Sequence, residues 1–91
     1  MIRINVFISA DEAVRAKVIE SASALTAASL KEEGCIAYDI FESSTRKNVL
    51  MICETWQDEA HLAVHQATEH FKKYVGEIEA VAQMKIESFN F

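Results

Sequence analysis

The stretch ETWQDEAHLAVHQATEHF, from Glu54 to Phe71, holds the only tryptophan of the chain and all three of its histidines. Each residue type here can do chemistry. Imidazole moves protons near neutral pH, an indole N–H can donate to a ligand oxygen, and a carboxylate can act as a general base. Glu54 and Trp56 are two apart, so they share one face of any strand that carries them both. A buried and unpaired Glu54 would have a raised pKa, which suits a base. Trp56 reads as a large hydrophobe sealing a sheet, or as a pocket wall with a polar edge.

His61 and His65 are four apart and share one side of a helix. At about 100° per residue, Ala60, Ala63, Val64 and Ala67 form a stripe, and His65 falls roughly 150° from its centre. That spacing alone predicts a solvated His65. Leu62 also lies off the stripe, however, which leaves open a short helix buried on two sides. His61 is expected at the surface, and His70 as a helix-start or interface histidine. The pair His61 and His65, with Glu69 nearby, lacks the glutamate that a zinc-protease pattern places directly after its first histidine; Leu62 stands there, and no metal is expected. Asn5 interrupts an apolar stretch. On an inner face its amide would need partners, since an unpaired one costs about 1–3 kcal/mol. There it could donate to a substrate oxygen; otherwise it faces water beside Arg3. Tyr38 and Tyr74 could present hydroxyls to a pocket, or simply pack.

Other classes are disfavoured. Two glycines cannot supply a dinucleotide-binding loop, and no Ser-His-Asp order can be assembled. The net charge is −5 and the longest basic run is Lys72-Lys73, which argues against nucleic acid. Cys35 and Cys53 form no C-x-x-C pair and read as small hydrophobes in a reducing compartment. The opening MIRINVFI has neither the charge pattern nor the cleavage signature of a signal peptide, and no apolar run is long enough for a membrane span. These features predict a cytoplasmic protein.

The elements that must position these residues follow from periodicity. IRINVFI (2–8) alternates strictly and predicts a strand. Ser9 and Glu12 stand at capping-box spacing, and Val14, Val18, Ala22 and Leu25 continue a helix from about 11 to 33, closed by Gly34. CIAYDIFES and NVLMICETW predict a hairpin around Ser44-Thr45-Arg46-Lys47. Short helices are expected at 58–66 and 69–79, with Thr68 as a cap between them, and AQMKIESFNF reads as a last strand. The order βαββααβ predicts one α+β, ferredoxin-like domain over residues 1–91, an antiparallel sheet with helices on one face. In it the first and third strands are central neighbours, placing Asn5 on the strand beside Glu54 and Trp56. The hairpin strands are apolar on nearly both faces, so the second face should meet another sheet. With 51% hydrophobic residues in 91, a twofold dimer is the expectation.

EEGCIAYDIFES followed by ETWQDEAHLAVHQATEHF resembles the core pattern of the antibiotic biosynthesis monooxygenase (ABM) family over about residues 33 to 71. That pattern is E-x-G-C, an aromatic four residues after the glycine, E-x-W, D-E-x-x-L and two histidines around a helix break. The resemblance implies a dimeric α+β barrel with a pocket in each subunit between sheet and helices. It implies a homodimeric, cofactor-independent monooxygenase that oxidises aromatic or quinol-type molecules with O₂, without metal or flavin. It places His65 in the pocket. Within this reading His65 or Glu54 is the catalytic base, Asn5 or Trp56 the oxyanion donor, and Tyr38 and Phe71 further binding residues. Other branches degrade haem or isomerise small phosphorylated hydroxyketones, and a non-catalytic dimeric binding module is a third expectation. Where the haem-degrading branch carries its axial histidine this chain has Val75, which disfavours haem. Glu33 and Glu69 replace prolines common in the family.

Overall fold

A computed structural model describes residues 1–91. The chain forms β1 (Ile2–Ser9), α1 (Glu12–Ser29), β2 (Cys35–Glu42), β3 (Val49–Trp56), α2 (Glu59–Gln66), α3 (Glu69–Glu79) and β4 (Gln83–Asn90). The four strands make one antiparallel sheet in the order β2-β3-β1-β4. This is the expected α+β, ferredoxin-like arrangement, with β1 and β3 in the centre. No helix is long and apolar enough to cross a membrane.

Strict alternation in β1 sorts its side chains onto two faces. Ile2, Ile4, Val6 and Ile8 are buried with Leu50 and Ile52 of β3 beneath Val18, Ala22 and Leu25 of α1 and Ile78 of α3. Fully enclosing an aliphatic side chain such as Ile8, Leu50 or Ile52 is worth about 1.5–3 kcal/mol, so this layer holds helices to sheet. Ser21 of α1 donates to Glu77 of α3 at 2.8 Å and fixes the two helices side by side. Directly opposed residues of an antiparallel pair project to the same face. The second face therefore carries the row Phe41, Met51, Phe7, Lys85, and beside it Asp39, Cys53, Asn5, Glu87. No element of the chain covers it.

Two local expectations are corrected. Ser9 does not cap α1: it remains paired in β1, and Asp11 holds the cap position without a side-chain hydrogen bond. Strand pairing has taken the residue that a capping box would need. The helix also stops at Ser29 rather than near residue 33, where it tightens into turns in which Glu32 N–H donates to Ser29 and Cys35 N–H to Glu32. Gly34 then adopts φ +82°, a left-handed conformation open to glycine at little steric cost. Releasing Glu32 from the helix lets its carboxylate reach α2 and α3.

Candidate active site

Glu54 and Trp56 end β3 on the helix-covered face. Trp56 is completely enclosed, and its Nε1–H donates to Glu54 Oε1 at 2.7 Å. Burial pushes the Glu54 carboxyl up from 4.5 to about 7, while the indole N–H and the Tyr38 hydroxyl pull it partly back; the nearby Glu32 charge pushes it further up. Tyr38 sits directly opposite Glu54 on β2, also buried. Burial, and then the Glu54 charge, hold its phenol well above the usual 10, so it is a neutral hydroxyl at physiological pH.

His65 is fully buried, contrary to its position on the helical wheel. The stripe Ala60, Ala63, Val64 and Ala67 faces solvent instead. Helix α2 is only eight residues long and is oriented by its ends: Asp58 accepts from His61 N–H at 2.9 Å, and Thr68 Oγ1 donates to the His65 carbonyl at 2.7 Å. Thr68 also caps α3 by accepting from Phe71 N–H at 3.2 Å. The aromatic environment then outweighs the small apolar stripe. The His65 ring centroid lies 4.4 Å from that of Trp56, 5.1 Å from Phe71 and 5.8 Å from Tyr38.

His65 Nδ1 lies 2.6 Å from Glu32 Oε2, and the same oxygen lies 2.9 Å from His70 Nε2. The other His65 nitrogen, Nε2, is buried with no hydrogen-bond partner; Glu54 Oε1 stands 3.9 Å away. Burial lowers the His65 pKa and Glu32 opposes that shift. Glu32, His65 and His70 offer three ligand atoms within 4.8 Å of one another. The Glu32 oxygen lies within hydrogen-bond distance of both ring nitrogens.

A cavity of about 290 Å³ lies between the sheet and helices α1 and α3. Glu54, Tyr38 and Glu79 are its polar lining, and Leu25, Phe71, Val75 and Met84 wall it with apolar surface. A larger depression of about 470 Å³ around Phe7, Arg46, Val49 and Lys85 is remote from these groups. Of the residues singled out in the sequence, Glu54, Tyr38 and Phe71 border the cavity; Trp56 and His65 stand behind Glu54. Asn5 does not join them. It is directly opposite Cys53 and so projects to the uncovered face, where it borders a shallow depression with Arg3, Phe89 and Phe91. Adjacent strands place residues side by side, but parity decides the face. His61 is half-buried rather than free at the surface, its Nδ1 2.7 Å from Asp58. The residue that sequence reading left without a role is Glu32, although it is the glutamate of E-x-G-C.

The chain is thus a four-stranded antiparallel sheet backed by helices, with a buried carboxyl at the edge of an apolar cavity and an indole and a histidine packed behind it. The antibiotic biosynthesis monooxygenase model matches residues 1–77, and the chain belongs to that family. It is 33% identical over 75 residues to YcnE of Bacillus subtilis (strain 168), a protein assigned to the monooxygenases by name only, covering 82% of this chain and 79% of YcnE. A crystal structure from Bacteroides thetaiotaomicron VPI-5482, of a conserved protein of unknown function and possible oxidoreductase, is 61% identical. It superimposes with a TM-score of 0.98, covering 99% of this chain and 96% of that one. SnoaB, a cofactor-independent oxygenase from Streptomyces nogalater, shares the fold at a TM-score of 0.89 and 12% identity, covering 99% and 91%.

Proposed function

We propose that this chain is a cofactor-independent monooxygenase that oxidises an aromatic, quinol-type molecule in the cavity beneath α1 and α3. The observation that carries this reading is Glu54, a carboxyl with its pKa raised to about 7, at the edge of an apolar chamber. A base poised near the working pH gains most from proton transfer. Ionised Glu54 takes the acidic proton of the bound substrate and leaves an electron-rich phenolate or enolate. That anion gives one electron to O₂, the radical pair joins as a carbon-bound peroxide, and the peroxide takes back the proton held by the enzyme; breaking the remaining C–H and the O–O bond then releases water and leaves a carbonyl. One oxygen atom enters product and the other leaves as water. The neutral Tyr38 hydroxyl is the donor at the cavity wall, the Trp56 N–H holds the Glu54 carboxyl in place from behind, and apolar walls keep water from the peroxide. The cavity lining includes two carboxylates, Glu54 and Glu79, and no cation. A phosphorylated hydroxyketone would meet no counter-charge there, which favours the aromatic substrate over the isomerase reading.

The names of YcnE and SnoaB support an oxygenase, and the second face of the sheet supports a dimer. Phe41 is 49% exposed and packs in one row with Met51 and Phe7. A second copy laid face to face on this row would bury them and complete a barrel. Both cysteines are free, in keeping with the cytoplasm. Oxygen uptake with a panel of hydroquinones and anthrones tests the activity. The expected result is uptake by the wild type and loss of about 10²-fold or more in Glu54→Gln. No uptake with any member of the panel overturns the oxygenase and leaves a binding module.

A further inference from the structure

We propose that Glu32 and His65 form a carboxylate–imidazole dyad that receives the proton from Glu54, with His70 holding the Glu32 carboxylate in place. This rests on the reading of Glu54 as the base. The geometry starts from one oxygen. Glu32 Oε2 lies 2.6 Å from His65 Nδ1 and 2.9 Å from His70 Nε2. An ionised carboxylate only accepts, so each ring nitrogen facing it carries the hydrogen. His65 therefore holds its proton on Nδ1. In the neutral ring Nε2 is then a bare lone pair, buried without a partner.

An unsatisfied buried acceptor is costly, and this one stands beside the group that takes the substrate proton, where it can store that proton until the peroxide takes it up. Nε2 is 3.9 Å from Glu54 Oε1, too far for a hydrogen bond while Glu54 is ionised and has only lone pairs to offer. Once Glu54 has taken the substrate proton, a turn of its carboxyl presents an O–H to Nε2. The O–H bond breaks and an N–H bond forms at Nε2. The electron pair stays on Glu54, which becomes a carboxylate again, and His65 becomes an imidazolium whose Nδ1–H remains on the Glu32 anion. The groups facing His65 are Glu32 from the turn after α1, Glu54 and Trp56 from β3, Tyr38 from β2, and His70 and Phe71 from α3. Burial and the neighbouring His70 hold the His65 pKa below its ordinary value, the Glu32 anion opposes them by favouring the imidazolium, and Tyr38 stays neutral. The His65 side chain is 1% exposed and that of His70 26%, so the water-facing end of the cluster is His70. Glu32 is on this account a positioning residue: it sets the tautomer and orientation of His65.

Nitrogen-15 spectra of histidine-labelled protein from about pH 5 to 9 read the tautomer directly, without any substrate. The expected result is a neutral His65 protonated on Nδ1, its titration coupled to that of Glu54 and simplified in Glu54→Gln. In Glu32→Gln the Nδ1–H preference weakens and the His65 pKa falls further; Glu32→Asp, which keeps the anion, restores the preference and guards against a folding failure in the glutamine variant. A proton on Nε2 in the wild type, or an unaltered tautomer in Glu32→Gln, overturns the dyad. So does Zn²⁺ titration that moves the His65 and His70 nitrogens to metal-bound positions. With an oxidisable quinol in hand, Glu32→Gln lowers kcat by about 10²-fold at constant KM, and Glu32→Asp recovers part of it. Equal kcat in wild type and Glu32→Gln also overturns it. If the wild type oxidises no quinol, the oxygenase reading falls while the tautomer still decides the dyad.

Discussion

Gly34 and His61 touch so closely that no side chain fits between them: a Cβ at position 34 would overlap the His61 Cγ. The ring has little freedom to retreat, because Asp58 holds its Nδ1 at 2.7 Å. Gly34→Ala therefore combines a left-handed backbone, about 1–2 kcal/mol, with overpacking of about 1–3 kcal/mol. Chemical denaturation should show a loss of at least about 2 kcal/mol. In the double variant with His61→Ala the overpacking disappears and the backbone cost remains, so the two changes are expected to be non-additive.

Glu54 makes stability depend on pH in a defined direction. Its pKa is about 7 in the folded chain against an ordinary 4.5, so between these values the folded state keeps a proton that the unfolded chain has released. The stability conferred by that proton is complete below about pH 4.5 and lost as the pH rises through about 7. At 1.36 kcal/mol per pH unit the effect is about 3 kcal/mol at most. Glu54→Gln cannot titrate, and melting temperatures across this window should show it gaining on the wild type as pH rises. Parallel curves would remove the buried carboxyl from the account.

Trp56→Phe keeps an aromatic ring against His65 but removes the N–H that Glu54 Oε1 accepts at 2.7 Å. That bond favours the ionised carboxyl, so its loss should move the Glu54 titration upward from about 7. The hydrogen bond reaches a charged acceptor, and its removal is expected to cost about 1.5–3 kcal/mol at alkaline pH. At a pH low enough to protonate Glu54 the penalty should shrink. Denaturation of both proteins at the two extremes gives the comparison.

Much of this architecture was legible from periodicity, because its elements are short, alternating or capped. The E-x-W spacing placed Glu54 and Trp56 on one face, and Thr68 marked the break between α2 and α3. Strand adjacency alone leaves both faces open to Asn5, and the odd–even register of the β1–β3 pair puts it opposite Cys53, on the uncovered face beside Arg3. His65 defeated the helical wheel for a different reason. In eight residues the orientation is set by caps and tertiary partners, and four small apolar side chains carry too little burial energy to oppose them. Glu32 was hidden inside an expected helix; only its early end at Ser29 frees the carboxylate.

The uncovered sheet face predicts the oligomeric state. Phe41 lies directly opposite Met51, which lies opposite Phe7, and none has a covering element within its own chain. Light scattering should give twice the 10.2 kDa of one chain. Phe41→Glu would place charges against each other or against apolar surface in the twofold pair, and it is expected to shift the mass toward the single chain. A wild-type mass of 10.2 kDa at micromolar concentration would refute the pairing.

The placement of the single indole gives the molecule a built-in optical reporter. Trp56 is shielded from solvent and its ring centroid lies 4.4 Å from that of His65. Imidazolium quenches excited indole more strongly than neutral imidazole does, because the cation is the better electron acceptor. The emission intensity of this chain, with no other tryptophan to dilute it, should therefore respond to the charge on His65, and Glu54→Gln removes the other titrating group in contact with the indole. A proton arriving at His65 is expected to darken the protein, and its departure to restore the light.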